Sequence, residues 1–298
     1  MNKKISDERL LEELEKRFFT TKNSLNQHKE LIEQLKVVNK KLEESEKLKS
    51  HFISNITNEI INPFASILGL SKAILQSDQT NWKQVMDMVS LIRSETLVLD
   101  FHLKNIFTAA KLEAGDVTPQ YSRLNIKSFF EDIIKEFEFE SQKKGLKFKT
   151  EYDVNLEKEE NFDVITDVEK FNLIISNIFS NALKFSNEKS TIFVYVWKDD
   201  NLICFSVENE GVSIPADKQK VIFDRFVRLD NNINSLNRGH GLGLSITKAL
   251  IELLEGSIKV ESKVSGNNKF TVTIPEPELD GKSNTDFGDD VFFDNEVF

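Results

Sequence analysis

From Leu11 to Leu42 apolar side chains recur with a seven-residue period, and this repeat restricts the N-terminal part of the chain more than any other feature. One seam position reads Leu11, Phe18, Leu25, Ile32 and Asn39; the other reads Leu14, Thr21, His28, Leu35 and Leu42. A spacing of 3.5 residues keeps a stripe on one side of a helix, and the stripe needs a second helix to cover it. Residues 1–47 are therefore expected to form a coiled-coil helix in a dimer, with a solvated single helix as the alternative. Polar Thr21, His28 and Asn39 fix the register and weaken the coil.

Helical spacing continues through residues 48–118. A first helix is expected from about Leu48 to Leu75, carrying Phe52, Ile56, Ile60, Phe64, Ile67 and Leu68, with a bend at Pro63. A break at Ser77-Asp78-Gln79-Thr80-Asn81 precedes a second helix from Trp82 to Ala114, stopped by Gly115. Two long antiparallel helices cannot bury their apolar sides alone, so a dimeric four-helix bundle is expected. After Gly115 the texture changes. Asp116 to Leu124 reads as a strand, Ile126 to Lys144 as a helix, and Gly145 to Val154 and Phe162 to Thr166 as strands. A helix from Val168 to Phe185 follows, then a hairpin of Thr191–Trp197 and Leu202–Glu208 around Lys198-Asp199-Asp200-Asn201. A glycine-rich loop, a helix from Leu242 to Leu254 and strands Ser257–Ser262 and Lys269–Ile274 complete the segment. The fold class is α+β: coil and helical hairpin, then an α/β sandwich over residues 119–275 with helices on one side of a mixed sheet. Residues 276–298 hold eight acidic residues and one Lys, and are expected to form a disordered acidic tail.

Composition removes several function classes. The 298 residues suggest about two domains at roughly 150 residues each. A net charge of −10 argues against a sequence-independent nucleic-acid binder and against a polybasic membrane-surface protein. The one cysteine, Cys204, excludes an intramolecular disulfide framework and fits a reducing cytoplasm. No apolar run approaches a membrane span, and no signal peptide is read in this chain. The 24 Phe read as core filling.

Two elements carry the chemistry. Arg238-Gly239-His240-Gly241-Leu242-Gly243-Leu244-Ser245 opens directly into a helix, so a bare backbone and helix amides meet where a phosphate chain would approach. Without a Gly-Lys-Ser/Thr ending it is not a Walker loop. Asn177, Asn181 and Lys184 lie at i, i+4 and i+7 on the preceding helix. Two carboxamides and an ammonium on one side can bind Mg²⁺ through oxygen and neutralise phosphate. Either element alone is an ordinary loop or a solvated helix side; together they read as a nucleotide site.

In this combination the chain resembles the transmitter core of sensor histidine kinases of two-component signalling. Asn177-Ile178-Phe179-Ser180-Asn181-Ala182-Leu183-Lys184-Phe185 is similar to the family's N box, and Val207-Glu208-Asn209-Glu210-Gly211-Val212-Ser213-Ile214-Pro215 to its first glycine box. Ile222-Phe223-Asp224-Arg225-Phe226-Val227-Arg228 resembles its F box, and Gly239 to Leu244 its second glycine box. Lys111-Leu112-Glu113-Ala114-Gly115 resembles the end of its second dimerisation helix. The resemblance covers residues 48–275 and implies a Bergerat-type domain binding ATP and Mg²⁺. Asn177 and Asn181 would hold the metal, Lys184 would contact phosphate, and Phe185 would pack at the adenine. The implied nucleotide contacts further include Asn209, Gly211, Ser213, Arg225, Arg228, Gly239, His240, Gly241, Leu242 and Gly243, with Leu229 to Arg238 as a lid.

Departures from the family pattern shape the functional reading. Where the family has a phosphoacceptor His followed by Glu, a basic residue, Thr and Pro, this chain has Asn58-Glu59-Ile60-Ile61-Asn62-Pro63. A carboxamide nitrogen is delocalised into its carbonyl and is no nucleophile, whereas a neutral imidazole nitrogen is one. Glu59 keeps the position of the catalytic base with no His to act on, and Asn62 replaces the Thr associated with dephosphorylating the partner. His51, one heptad and about 10.5 Å earlier, is followed by Phe52 instead of an acid. Asn209 replaces the aspartate expected at the adenine amine, a change worth about 1–2 kcal/mol, or roughly 10–30-fold in affinity. Ser213 replaces a glycine, at about 1 kcal/mol more if the position needs positive φ. The leading reading is an ATP-binding regulatory pseudokinase, a cytoplasmic homodimer whose partner is a true histidine kinase or a response regulator. Two alternatives stand beside it. One is an active kinase, phosphorylating a partner or altered at its native His by engineering; the other is a scaffold that binds no nucleotide.

Overall fold

In the computed structural model, which describes residues 7–77, 81–153, 162–225, 227, 241–264 and 266–277, helix α1 runs from Asp7 to Gln76. It passes position 48 without a break and carries Pro63 inside it, so the expected helix start at Leu48 is absent: no glycine or cap residue interrupts hydrogen bonding there. The chain divides into two compact units between Asn55 and Ile56. In the first unit, seam residues Leu11, Leu14, Phe18, Leu25, Ile32, Leu35 and Leu42 are all exposed.

The second unit begins with the rest of α1. Helix α2, Trp82–Ala114, starts at Asn81, whose side chain accepts from the Gln84 N–H, and stops at Gly115. Strand β1, Ser122–Asn125, pairs antiparallel with β3, Asp163–Thr166. The strand expected from Asp116 is thus confined to four residues, because only Ser122–Asn125 finds a partner strand and Pro119 has no N–H to donate. Helix α3, Ile126–Lys143, is capped by Asn125, and β2 spans Lys147–Tyr152. Helix α4, Val168–Phe185, precedes β4, Thr191–Asp199, and β5, Leu202–Glu210. A 3₁₀ turn at Val221–Phe223, helix α5, Gly243–Leu253, and strands β6, Ser257–Ser262, and β7, Asn267–Pro275, follow.

The main sheet has the order β2-β4-β5-β7-β6. β2 and β4 are parallel, with Lys149 opposite Phe193, and the other neighbours are antiparallel. Alternation shows which side the helices cover. Along β4, Ile192, Val194 and Val196 are buried while Phe193 and Tyr195 are exposed. Phenylalanine fills the layer between: Phe130 of α3 meets Phe171 and Phe179 of α4 and Phe205 of β5, with ring centroids 5.5 to 6.5 Å apart. β7 ends at Pro275, and Glu276 just beyond it is still held. Glu276 accepts from the Ile165 N–H (3.1 Å), pairs with Lys198 and donates its own N–H to Asn201 O (2.8 Å). Its carboxylate is held because β7 ends beside both groups; the tail beyond residue 277 lies outside the described residues.

Candidate nucleotide site

Helix α4 supplies the polar side predicted from sequence, and its three members differ in surroundings. Asn177 is 3% exposed, whereas Asn181 and Lys184 are half-buried. Asn177 Nδ2 donates to Asn105 Oδ1 of α2 at 2.8 Å, and Asn105 Nδ2 donates to Phe101 O at 3.0 Å. Asn177 Oδ1 faces the first turn of α5, where a Cβ on Gly243 would sit 3.0 Å away. Lys184 Nζ lies 5.5 Å from the centre of the Phe185 ring. Lys144 Nζ closes the end of the helix by donating to Leu183 O (2.9 Å) and Lys184 O (3.0 Å).

The end of β5 forms the neighbouring wall. Asn209, 4% exposed, donates from Nδ2 to Ser186 Oγ at 3.2 Å, and Ser186 Oγ donates to Ala182 O at 2.5 Å. Ser186 and Gly211 form a bridge, and a Cβ on Gly211 would lie 1.9 Å from Phe185 O, so no side chain is admissible there. Gly211 N–H donates to Gly266 O (2.7 Å), and buried Asn268 donates to Val212 O (3.0 Å). Ser213 donates to Val264 O (3.3 Å). Among the described residues, non-glycine positive φ occurs at Lys189, Asp200 and Glu255; Ser213 is not one of them, so the backbone penalty anticipated for it does not apply.

Gly241 (φ 67) and buried Leu242 lead into α5, whose first turn has no side-chain cap; Ser245 Oγ donates instead to Leu242 O (2.9 Å). The start of α5 therefore keeps its amides without a side-chain acceptor. Arg225 is exposed, and Asn62 is exposed on α1. Arg228, Gly239 and His240 lie outside the described residues, as do the side chains of Asn58 and Glu59. The structure thus brings Asn177 beside Gly243 and Phe185 against Gly211, with Asn209 joined to the Phe185–Gly211 contact through Ser186.

Asn105, Ser186 and Asn268, which bond to these residues or to Val212, were not singled out from sequence. Asn105 had a signal: it occupies the helical register of Phe101, Thr108 and Leu112, where an apolar residue would be expected. Nearby, Glu136 of α3 has its carboxyl raised by desolvation, opposed by Lys104 of α2 and reinforced by Asp132 and by Asp100 of α2.

The donor set fits Mg²⁺ on one condition. Asn177 and Asn181 offer neutral oxygens, and no described cluster of three His, Cys, Asp or Glu could hold a metal by itself. Anionic ligands would have to come from a bound phosphate chain, which is how Mg²⁺ is commonly held in nucleotide sites. Residues 166–278 match the family model described as histidine kinase-, DNA gyrase B-, and HSP90-like ATPase. Over most of its length the chain is similar to sensor histidine kinases. It is 28% identical over 234 residues to the circadian input-output histidine kinase CikA of Synechocystis sp., covering 77% of this chain and 31% of CikA. It is 27% identical over 250 residues to the aerobic respiration control sensor protein ArcB of Escherichia coli, covering 84% and 31%. The chain thus spans about a third of the length of these relatives. Full-length ShkA, solved in complex with AMPPNP, shares its fold with a TM-score of 0.53 at 20% identity, over 78% of this chain and 46% of ShkA. No helix among the described residues is long and apolar enough to cross a membrane.

Proposed function

We propose that this chain binds ATP with Mg²⁺ and acts as a regulatory pseudokinase that cannot autophosphorylate at the usual position. The observation that carries the proposal is Asn58, a carboxamide at the acceptor position, in a chain that keeps Asn177, Asn181 and Lys184 in order on α4. Asn181 and Asn177 would hold the metal with the phosphates, Lys184 would neutralise phosphate charge, and Phe185 would meet the base. Bound Mg²⁺ would supply charge neutralisation on the phosphate chain. Glu59 follows Asn58 with no imidazole to polarise, so no group at that position accepts a phosphoryl.

Nucleotide occupancy then acts through shape: it biases the helices between states that a partner reads. The partner would be a true histidine kinase, joined through the heptad seam, or a response regulator. The reading includes a homodimer and a cytoplasmic setting; the latter rests on one buried thiol, Cys204. The test is incubation with γ-labelled ATP and Mg²⁺. Wild type should carry no acid-labile label, and Asn58→His, which restores an imidazole beside Glu59, should gain it; Asn58→His with Asn181→Ala should lose it again. Acid-labile label on wild type overturns the pseudokinase reading.

A further inference from the structure

We infer that the C-terminal segment of this chain, residues 278–298, docks on the outer side of its own main sheet and lays phenylalanine rings along the Phe193-Tyr195-Trp197 strip of β4. Alternation puts successive side chains on opposite sides of each strand. Ile203, Phe205 and Val207 of β5 are buried in the helix-covered layer, where Phe205 meets Phe130. The other set faces away from α4 and α5, the helices of the candidate nucleotide site. There β4 presents Phe193 and Tyr195, 45% and 40% exposed, together with half-buried Trp197. The Tyr195 and Trp197 rings stack with centroids 5.2 Å apart. Register sets Tyr195, Ser206 and Thr271 in one row across β4, β5 and β7, and Trp197, Cys204 and Thr273 in the next row on that side. Ser206 and Cys204 are buried on this side too, their short side chains sitting lower than the rings on one flank and the threonines on the other. The outcome is a trough with one aromatic wall.

Where the described chain ends decides what fills that trough. β7 stops at Pro275 in the row of Leu202 and Asp199, two positions along β4 from Trp197. Glu276 is fixed there by Lys198 and the Asn201 carbonyl, and half-buried Pro277 follows. Residues 278–298 therefore start at the Trp197 end of the strip. Phe287 comes ten residues after Pro277, a reach of up to about 33 Å, whereas Trp197 to Phe193 spans only about 13 Å. The segment carries Phe287, Phe292, Phe293 and Phe298 among seven acidic residues and one Lys. So few apolar side chains cannot build a core of their own, and their rings gain by covering apolar surface already on offer. Charge permits the placement. On the outer side of these strands Lys147, Lys149, Lys259 and Lys269 balance four carboxylates, in a chain of net charge −10. An acidic segment meets less repulsion there than over the chain as a whole. Lys149 Nζ already lies 5.7 Å from the centre of the Phe193 ring, within reach of an incoming carboxylate.

Trp82 and Trp197 are the two tryptophans, so in a Trp82→Phe background emission reports Trp197 alone. The experiment compares that full chain with one that also carries Phe287→Ser, Phe292→Ser, Phe293→Ser and Phe298→Ser. With the four rings present, Trp197 should emit further to the blue and be quenched less by acrylamide. A peptide of residues 278–298 added to the four-serine chain should restore both values. It should do so only near millimolar concentration, because a flexible tether supplies an effective concentration of about that size. Phe193→Ser with Tyr195→Ser, both at exposed positions, should abolish the peptide's effect while far-UV circular dichroism stays unchanged. Equal emission and equal quenching with and without the four rings overturn the inference and leave the strip to another partner. A difference that vanishes on dilution from micromolar to nanomolar protein overturns it as well, because the segment would then be covering a second copy.

Discussion

Asn209 shows how a substitution at one residue is absorbed by its neighbour. Ser186 has one hydroxyl proton, and it is engaged with Ala182 O at 2.5 Å; toward residue 209 the oxygen can only accept. The residue at 209 must therefore donate, which Asn does and a carboxylate cannot. Asn209→Asp is expected to move two quantities in opposite directions. ATP-analogue affinity should rise about 10-fold, because a charged acceptor replaces a neutral one at the adenine amine. Unliganded stability should fall by about 1 kcal/mol, because the Ser186 proton is pulled away from Ala182 O. Calorimetric titration and urea unfolding of the same preparation check both, and a rise in both would remove Ser186 from the account. Asn209 was singled out in the sequence, and its partner was not. Ser186 meets it only because Gly211 lets β5 close on the end of α4, a contact made across 23 residues that no local pattern announces.

Elements with caps at both ends were read well, and elements defined by distant pairing were not. Helix α4 has Asp167 before it and extended Ser186 after it, so Val168–Phe185 was legible to the residue. β1 depends on β3 across about 40 positions, and its expected length was wrong at the unpaired end. Continuous helix through position 48 was missed for a related reason: the boundary there was inferred from a change of role, not from any residue that stops a helix. Asp167 itself does more than cap. Its carboxylate, 2% exposed, accepts from the Lys170 N–H (2.9 Å) and from the Gln120 N–H (2.6 Å), and pairs with Lys170 Nζ. Asp167→Ala should cost about 3 kcal/mol, since it removes the cap and leaves a largely buried ammonium unpaired. Asp167→Asn keeps an acceptor for the cap and should cost about 1 kcal/mol. Denaturant midpoints at unchanged slope measure the difference; equal losses would mean that charge contributes nothing at this junction.

At the scale of the whole molecule, the exposed heptad seam is what a single chain leaves unresolved. Leu11, Leu14, Phe18, Leu25, Ile32, Leu35 and Leu42 are between 51 and 72% exposed, although their spacing is that of a buried stripe. An isolated helix of this length gains little from propensity alone, so its stability must come from covering that stripe. A second copy of the chain would cover it with matched register, polar Thr21, His28 and Asn39 then lying opposite themselves in a parallel pair. Sedimentation equilibrium at micromolar concentration should therefore give twice the chain mass. Leu25→Glu with Ile32→Glu places like charges in the seam and should return the chain to a monomer, with a matching loss of helical circular dichroism from residues 7–55. A true histidine kinase could join through the same stripe only by displacing the second copy, so the double variant should lose homodimer and heterodimer together. A wild-type chain that sediments as a monomer while keeping full helicity would show that this seam is covered by something other than its own copy.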